Sequence, residues 1–411
     1  MWRRLVLAVI GRIGTARIEF VGQGRATFIG DPQAELAATV TVHSPRAWRR
    51  MLRGSTGMAE GYMLGEWDCD DLVALATIAG LNLHRLDDLR RRFRFLTWPA
   101  QRLGLLMPRT TRSRGRRQIA AHYDLGNDLF SLFLDDSMNY SAALYRKGEG
   151  QTLESAQLAK MDQICDQLDL SPEVHLLEIG TGWGGLSVHL AERSGCRITT
   201  TTISKEQAVL ARRRVAAAGL EDRIEVLEVD YRDLTGAYDR LVSIEMIEAV
   251  GWQDFPTYFE QCSRLLKRDG SMLLQAITVA DEAYDLEKAS RSFISRYIFP
   301  GGCLPSVAEI RRCLDGTDLE IGWSDELRLD YAETLAEWRL RFLAAAGRLE
   351  ELGYDERFRR MWVLYLCVAE GGFRSGRNSD FQFRLEKPGA RARQEAGSQE
   401  AGKAPAGTNS P

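Results

Sequence analysis

Val174–Gly185 reads V-H-L-L-E-I-G-T-G-W-G-G, and the interpretation of the whole chain turns on it. A short apolar run closes on a carboxylate, Glu178, then breaks into glycines at 180, 182, 184 and 185 before an apolar-periodic segment, Leu186–Arg193, begins. Such a pattern predicts strand, tight turn and helix in succession. Glycine is needed where a turn demands positive φ and where backbone must approach a ligand more closely than a Cβ permits. A cofactor loop is the functional reading. A purely structural strand-to-helix turn is the plain alternative, because G-x-G-x-G alone is a weak signal.

Further along the chain the alternation repeats. Gly195 stops the helix, Arg197–Thr202 reads as a β-branched second strand, and Ser204 with Gln207 has capping-box spacing. Ala211–Ala218 continues that helix to Gly219. Ile224–Val229 and Arg240–Ile244 give strands three and four, Tyr258–Leu266 a helix, and Met272–Ile277 a fifth strand after a turn at Lys267–Gly270. The expected fold class is α/β: a Rossmann-like, doubly wound, mainly parallel sheet whose ligands bind outside the carboxyl ends of the strands. That geometry selects Gly180, Thr181 and Gly182 in the first loop, Thr202 and Ile203 after strand two, and Asp230 and Tyr231 after strand three. It also selects Ile244 and Glu245–Glu248 after strand four, and Gln275–Ile277 at the end of strand five.

A nicotinamide dinucleotide would want G-x-G-x-x-G and an acid closing strand two; here the spacing is G-x-G-x-G-G and strand two closes on Thr202. The loop with Glu178 instead resembles that of S-adenosylmethionine-dependent methyltransferases. In such folds the carboxylate helps order the loop near the methionine amine, and a polar residue after strand three holds the adenine. Gln207 is a cofactor contact on that resemblance and half of a capping box on the plain one.

Around this core, 411 residues suffice for two domains. Seven scattered cysteines, odd in number and never in C-x-x-C spacing, argue against a disulfide framework or a metal site and for a reducing compartment. Leu5–Ile10 follows Arg3 and Arg4 but is too short for a signal-peptide core, and no transmembrane helix is expected. Residues 1–105 read as a smaller α+β unit, with alternation at Ala16–Phe20 and Leu36–Val42 and helical patterns at Pro45–Arg53 and Asp71–Ala79. Between Arg85 and Arg117 eleven arginines face only Asp87 and Asp88, interleaved with Phe93, Phe95, Leu96, Trp98, Leu103, Leu105, Leu106 and Met107. That mixture suits an interface with anionic lipid, the alternative being a solvated linker; no nucleic-acid-binding module accompanies it. The expected division is therefore 1–105, a basic linker at 106–117, the main domain at 118–387 and a disordered tail at 388–411.

Several stretches carry a more specific resemblance. H-Y-D-L-G-N-D-L-F-S-L-F-L-D-D-S-M-N-Y-S at 122–141, E-I-G-T-G-W-G-G at 178–185, T-I-S-K-E-Q at 202–207 and D-Y-R-D at 230–233 are four of them. E-M-I-E-A-V-G at 245–251, Y-I-F-P-G-G-C-L-P-S at 297–306 and G-M-A-E-G-Y-M-L-G-E-W-D at 57–68 are the others. Together they resemble the cyclopropane-fatty-acyl-phospholipid synthase family. The resemblance implies S-adenosylmethionine as methyl donor and the double bond of an acyl chain in membrane phospholipid as acceptor, with a cyclopropane fatty acid as product. A methyl-branched or methylated unsaturated chain is the alternative product, and a silent lipid-binding relative is a third reading. It further implies a cytoplasmic protein attached to the inner face of the membrane, and a dimer. Tyr140 and Ser141 join the implied cofactor residues. Tyr140, Tyr231 and Tyr331 are candidates for stabilising a carbocation through their ring faces.

Departures from the family pattern centre on the base. In its best-known branch a bicarbonate is held by a Cys after the Y-S pair, a Glu after strand four, a His at the end of strand five, the following Ile backbone and a later Tyr. Here Ala142 stands for the Cys and Gln275 for the His, while Glu248, Ile277 and Tyr331 remain; Glu245 replaces a common Gly. Two readings follow: a bicarbonate retained on fewer ligands, which the surviving residues favour, or Glu245 and Glu248 raising one another's pKa so that one acts as base. Glu245 pointing to solvent, or paired with an arginine, is the unremarkable expectation.

Overall fold

The computed structural model describes residues 2–10, 16–22, 24–92, 126–145, 150–289 and 292–390. The side chains of the stretch Arg85–Arg117, the linker 106–117, His122 at the head of its motif and residues 391–411 of the expected tail lie outside the described set.

Two sheets organise the chain. The smaller comprises β1 (Arg17–Gly22), β2 (Arg25–Gly30), β3 (Ala37–Val42) and β4 (Trp67–Cys69) in the order β2-β1-β3-β4. Of these, β1 and β3 stand where alternation predicts them, and β1 and β3 run parallel. The helix expected at Pro45–Arg53 forms over Arg46–Met51, and a second helix, Gly54–Met63, follows from Gly54, whose φ of 73° favours glycine. The one expected at Asp71–Ala79 extends over Leu72–Arg92.

The larger sheet holds β5 (His175–Ile179), β6 (Arg197–Thr201), β7 (Ile224–Leu227), β8 (Tyr238–Ile244), β9 (Leu266–Val279), β10 (Glu320–Glu326) and β11 (Asn378–Glu386). Their order is β10-β11-β9-β8-β5-β6-β7, with β9 through β7 mutually parallel and the β10 and β11 pairings antiparallel. The doubly wound α/β expectation is met. The order reverses beside β5, so the switch-point crevice opens where β5 and β8 end. Three local readings are corrected. Lys267–Gly270 is not a turn before the fifth strand but part of β9, with a register shift against β8 between Tyr238 and Arg240. Strand three stops at Leu227 rather than Val229. The first residues of the expected tail, 388–390, form a helical turn, with Ala390 N–H donating to Lys387 O.

The apolar core of the small sheet is continuous with the roof of the crevice. Phe20, Val40, Trp48 and Trp67 belong to one buried cluster with Phe130, Phe133, Trp338 and Trp362. The roof is formed by helices Arg328–Ala344 and Glu356–Arg374, the latter packed on Leu72–Arg92 and Gly54–Met63. Arg360 fastens this contact: its guanidinium lies 4.0 Å from the centroid of Tyr62 and its Nε donates to Tyr62 O at 2.6 Å. Among the described residues no helix is long and apolar enough to cross a membrane.

Candidate active site

The glycine loop is bent by positive φ at Gly180 (104°), Gly182 (52°) and Gly184 (86°). A Cβ on Gly184 would touch Ala211 at 3.0 Å and one on Gly185 would lie 2.1 Å from Ser137 O, so both glycines permit close packing of neighbouring backbone. A Cβ on Gly182 would meet no protein atom within 4 Å. The loop therefore leaves a cradle open at Gly182 and closed at the other two, which suits a ligand lying along its backbone.

Behind the loop Glu178 is buried. Its Oε2 accepts from Ser187 Oγ and from Thr200 Oγ1 at 2.5 Å, and Thr200 Oγ1 in turn meets Thr181 Oγ1 at 2.7 Å. Burial pushes the Glu178 carboxyl up to about 7, with the two hydroxyls pulling it back. Its structural task is to tie β5, β6 and the following helix together, and through Thr200 and Thr181 it sets the loop. Past β6, Thr202 Oγ1 donates to Gln207 Oε1 at 2.8 Å and accepts from Ser204 N. Ser204 caps the helix by accepting from Gln207 N, but Gln207 does not reach back, so only half of the capping box forms. Asp230 caps the turn Tyr231–Asp233 and binds Arg232 Nε at 2.9 Å. Ile203 and Ile244 are half-buried.

The segment 126–145 is clamped onto this loop. Trp183 Nε1 donates to Asn127 Oδ1 at 2.7 Å, and Arg214 donates to Ser137 O and Asp136 O. So held, it delivers Tyr140, Ser141 and Ala142 to the crevice. Tyr140 packs on Trp338 (5.2 Å between centroids) and shares a hydrogen bond with Tyr365; Tyr331 packs on the same Trp338 (6.1 Å) and stacks on Phe373 at 4.4 Å. Tyr231 is separate: its ring lies edge-on to Tyr258 in a different apolar cluster. The structure thus brings two of the three tyrosines together.

At the ends of β8 and β9 the acidic groups converge. Glu245 neither faces solvent nor pairs with an arginine. Its Oε1 accepts from Ala142 N and from Gln275 Nε2, both at 2.8 Å, and its Oε2 from Tyr331 Oη at 2.7 Å. Its φ of 47° is a conformation that favours glycine, costing roughly 1–3 kcal/mol. Glu248 Oε1 accepts from Ile277 N at 2.6 Å, while its Oε2 is enclosed without a hydrogen-bond partner. Cross-strand register adds a further acid: Gln275 faces Gln382 and Ile277 faces Asp380 across β9 and β11, and Gln275 Nε2 also donates to Asp380 Oδ2 at 3.0 Å. Among the described residues the fully buried Lys160 of helix Leu153–Gln167 answers Glu245 and Asp380, and it donates to Ser141 Oγ at 2.7 Å.

Electrostatics divides these carboxyls. Burial raises all three: Asp380 goes well above the usual range, with Glu245 and Glu248 adding repulsion, and Glu248 reaches about 8 through burial and then the charge of Glu245. Glu245 is raised by burial and pulled back by Tyr331, Ala142, Lys160 and Gln275. Burial lowers Lys160 to about 8, against the pull of Glu245, Asp135 and Asp380. A charge survives in a dry site only where hydrogen bonds and a counterion meet it. Glu245 has both, so it carries the negative charge while Glu248 and Asp380 hold protons. The donors expected to hold a bicarbonate are thereby committed, Tyr331 and Gln275 to Glu245 and the Ile277 N–H to Glu248, and this donor set does not fit the ion.

Lys160, Asp380 and Gln382 escaped the sequence reading. Lys160 had a signal, since it shares a helical stripe with the buried Leu153, Ala156, Met161 and Ile164. In D-F-Q-F at 380–383 the alternation is legible, but nothing local says that its polar face is also buried.

Known proteins bear on this geometry. Residues 110–383 match the family described as mycolic acid cyclopropane synthetase. The tuberculostearic acid methyltransferase of Mycobacterium tuberculosis is 41% identical over 383 residues, covering 89% of this chain and 86% of that one. The cyclopropane-fatty-acyl-phospholipid synthase of Escherichia coli is 38% identical over 347 residues, covering 82% and 85%. Among solved structures, a mycolic acid cyclopropane synthase complexed with SAH and CTAB superposes with a TM-score of 0.62 at 31% identity, covering 66% of this chain and 98% of that one.

Proposed function

The chain belongs to the mycolic acid cyclopropane synthetase family of S-adenosylmethionine-dependent methyltransferases, and from that premise we propose that it methylates the double bond of an unsaturated acyl chain in membrane phospholipid, with Glu245 as the base. The supporting observation is that Glu245 keeps a glycine-like backbone conformation while three donors hold its carboxylate at the crevice. Gly180, Thr181, Gly182, Thr202, Ile203, Asp230 and Ile244 would hold the cofactor, with Glu178 and Gln207 setting the loops around it and Tyr140, Ser141 and Tyr231 on its borders. Bound S-adenosylmethionine supplies an electrophilic methyl group.

An alkene has no proton to lose beforehand, so no activated nucleophile is needed. The π pair would form the new carbon–carbon bond to the methyl carbon, whose bond to the sulfonium sulfur would break with its electron pair left on sulfur, and a cation would remain on the neighbouring acyl carbon. The protein's task is to exclude water, present aromatic faces and remove one proton. Tyr140 and Tyr331, gathered on Trp338, supply such faces, worth about 0.5–2 kcal/mol each. Glu245 takes the proton, and the C–H electron pair closes either a double bond or a ring. Glu248, protonated and anchored on the backbone of Ile277, keeps a second charge away from Glu245. Bicarbonate has no part in this scheme.

We place an open-chain methylated product ahead of the cyclopropane that the sequence favours. The exchanges Ala142, Gln275 and Glu245 act together as one built-in anion, and the relative matching 89% of the chain is named a methyltransferase. The ring remains a second reading because Glu248, Ile277 and Tyr331 survive and the Escherichia coli relative is a cyclopropane synthase. Lipid extracts of expressing cells decide between them. Acyl chains heavier by one CH2, without cyclopropane protons in the NMR spectrum, are expected; ring protons would reverse the product, and an unchanged mass would end the functional reading. Membrane attachment rests on the arginines from Arg85 to Arg117, at about 1 kcal/mol for each one near an anionic surface. Sedimentation with anionic vesicles, weakening with salt, is expected; equal binding to zwitterionic vesicles would reduce this stretch to a linker.

A further inference from the structure

We infer that Gln382 and Gln163 are positioning residues for Glu245, acting through a one-directional chain of amide hydrogen bonds with Lys160 as its buried countercharge. The inference rests on the assignment of Glu245 as base.

Donor and acceptor logic fixes the chain. A carboxylate only accepts, so Gln275 must turn its NH2 to Glu245 Oε1 (2.8 Å). Its carbonyl then faces Gln382, which must present its own NH2 (3.0 Å). The carbonyl of Gln382 is left for Gln163, whose Nε2 donates to it at 3.0 Å. Three amides from β9, β11 and helix Leu153–Gln167 thus align with their positive ends toward one carboxylate, each polarising the next. Gln275 and Gln382 are fully buried, so a reversed amide would leave enclosed groups facing like partners.

The same helix reaches Glu245 by a second route. Lys160, three residues before Gln163, donates to Ser141 Oγ, and the next residue, Ala142, donates its N–H to Glu245. Gln157, one turn earlier, donates to Ser141 O at 3.0 Å and holds that peptide in place. Other titratable groups surround the carboxylate. Asp380 of β11 and Glu248 are kept neutral by burial and by the charge of Glu245; Tyr331 donates from the roof helix and is influenced by Tyr365; Asp135 acts on Lys160; Asp325 accepts from Gln163 at 3.3 Å at the outer end. An amide at 275 carries no charge and takes up no proton, so the chain stabilises the ionised carboxylate without competing for its proton.

The test uses the full chain and the substitutions Gln382→Met, Gln163→Met and Lys160→Met, which nearly keep side-chain length and remove the polar group. Two readouts are followed: the acid limb of the kcat–pH profile, and the infrared titration of the Glu245 carboxyl in cofactor-free protein, assigned by its loss in Glu245→Gln. Both midpoints are expected to move to higher pH, by about one unit or more for Lys160→Met, less for Gln382→Met and least for Gln163→Met. Gln163 is half-buried, so its variant carries the test if Gln382→Met fails to fold. A uniform loss of kcat with unmoved midpoints overturns the inference. Full turnover in Glu245→Gln would instead sink the base assignment, whereas an inactive Glu245→Gln beside unmoved midpoints in the methionine variants would sink only the amide chain.

Discussion

Where β5 and β6 end, the crevice is lined by backbone and hydroxyl groups. The one carboxylate there, Glu178, lies behind the loop and is answered by Ser187 and Thr200. Where β8 and β9 end and β11 begins, Glu245 and Asp380 act on the buried Lys160 and Glu248 lies beside Glu245, with Glu248 Oε2 and Asp380 Oδ1 enclosed without a hydrogen-bond partner. The first region is satisfied and can serve as a rigid seat. The second buries three acidic groups side by side, one ionised and two protonated, an arrangement that folding alone would not favour and that proton transfer can use. In the proposed function binding and chemistry are thus separated along one crevice, and the separation can be broken from either side.

The largest effect is expected at the acidic end. Glu245→Gln should lower turnover by about 10²–10⁴-fold, the usual worth of a general base, while calorimetry shows S-adenosylmethionine affinity unchanged. A matched loss of affinity would mean that the two ends are not independent. At the other end, Gly182→Val should remove measurable cofactor binding, because φ of 52° disfavours a β-branched residue and its side chain would fill the open cradle. Unchanged calorimetric affinity would displace the cofactor from this loop. Tyr331→Phe should cost about tenfold in kcat by removing one of the hydrogen bonds on Glu245. A Tyr331→Phe enzyme with wild-type kcat would remove that bond from the account.

Stability should distinguish the ends more gently. Glu248 and Glu178 have folded pKa values of about 8 and about 7, above the ordinary 4.5, so the folded state binds more protons than the unfolded one in between. Their contribution is complete below about pH 4.5 and is lost as pH rises through 7 and 8. Melting temperature should therefore fall from pH 6 to pH 8, and Glu248→Gln should flatten the upper part of that fall. A melting temperature that rises over this interval would contradict the protonated state of Glu248.

The seat was legible because its determinants are local. The positive φ of Gly180 and Gly182 and the cap of Ser204 act within a few residues of their own positions, and the mainly parallel sheet, though not its strand order, follows from repeated strand and helix units. The antiparallel strands β10 and β11 were not, since E-I-G-W-S-D-E and N-S-D-F-Q-F-R-L-E carry little apolar excess. The acidic end was half legible. Glu245 and Glu248 could be named from their place after β8, but the fate of Glu245 depends on Ala142, Tyr331 and Lys160, which are 103, 86 and 85 residues away in sequence. No window of sequence contains that arrangement, and so the unremarkable expectation of an exposed Glu245 was reasonable and incorrect.

The most direct measurement is turnover of the wild-type enzyme and of Glu245→Gln in degassed, bicarbonate-free buffer, with bicarbonate then added back. If Glu245 is the built-in base, the wild-type rate is the same with and without the ion, and Glu245→Gln is slow in both. A wild-type rate that collapses without bicarbonate and returns with it, beside an active Glu245→Gln, would contradict the account.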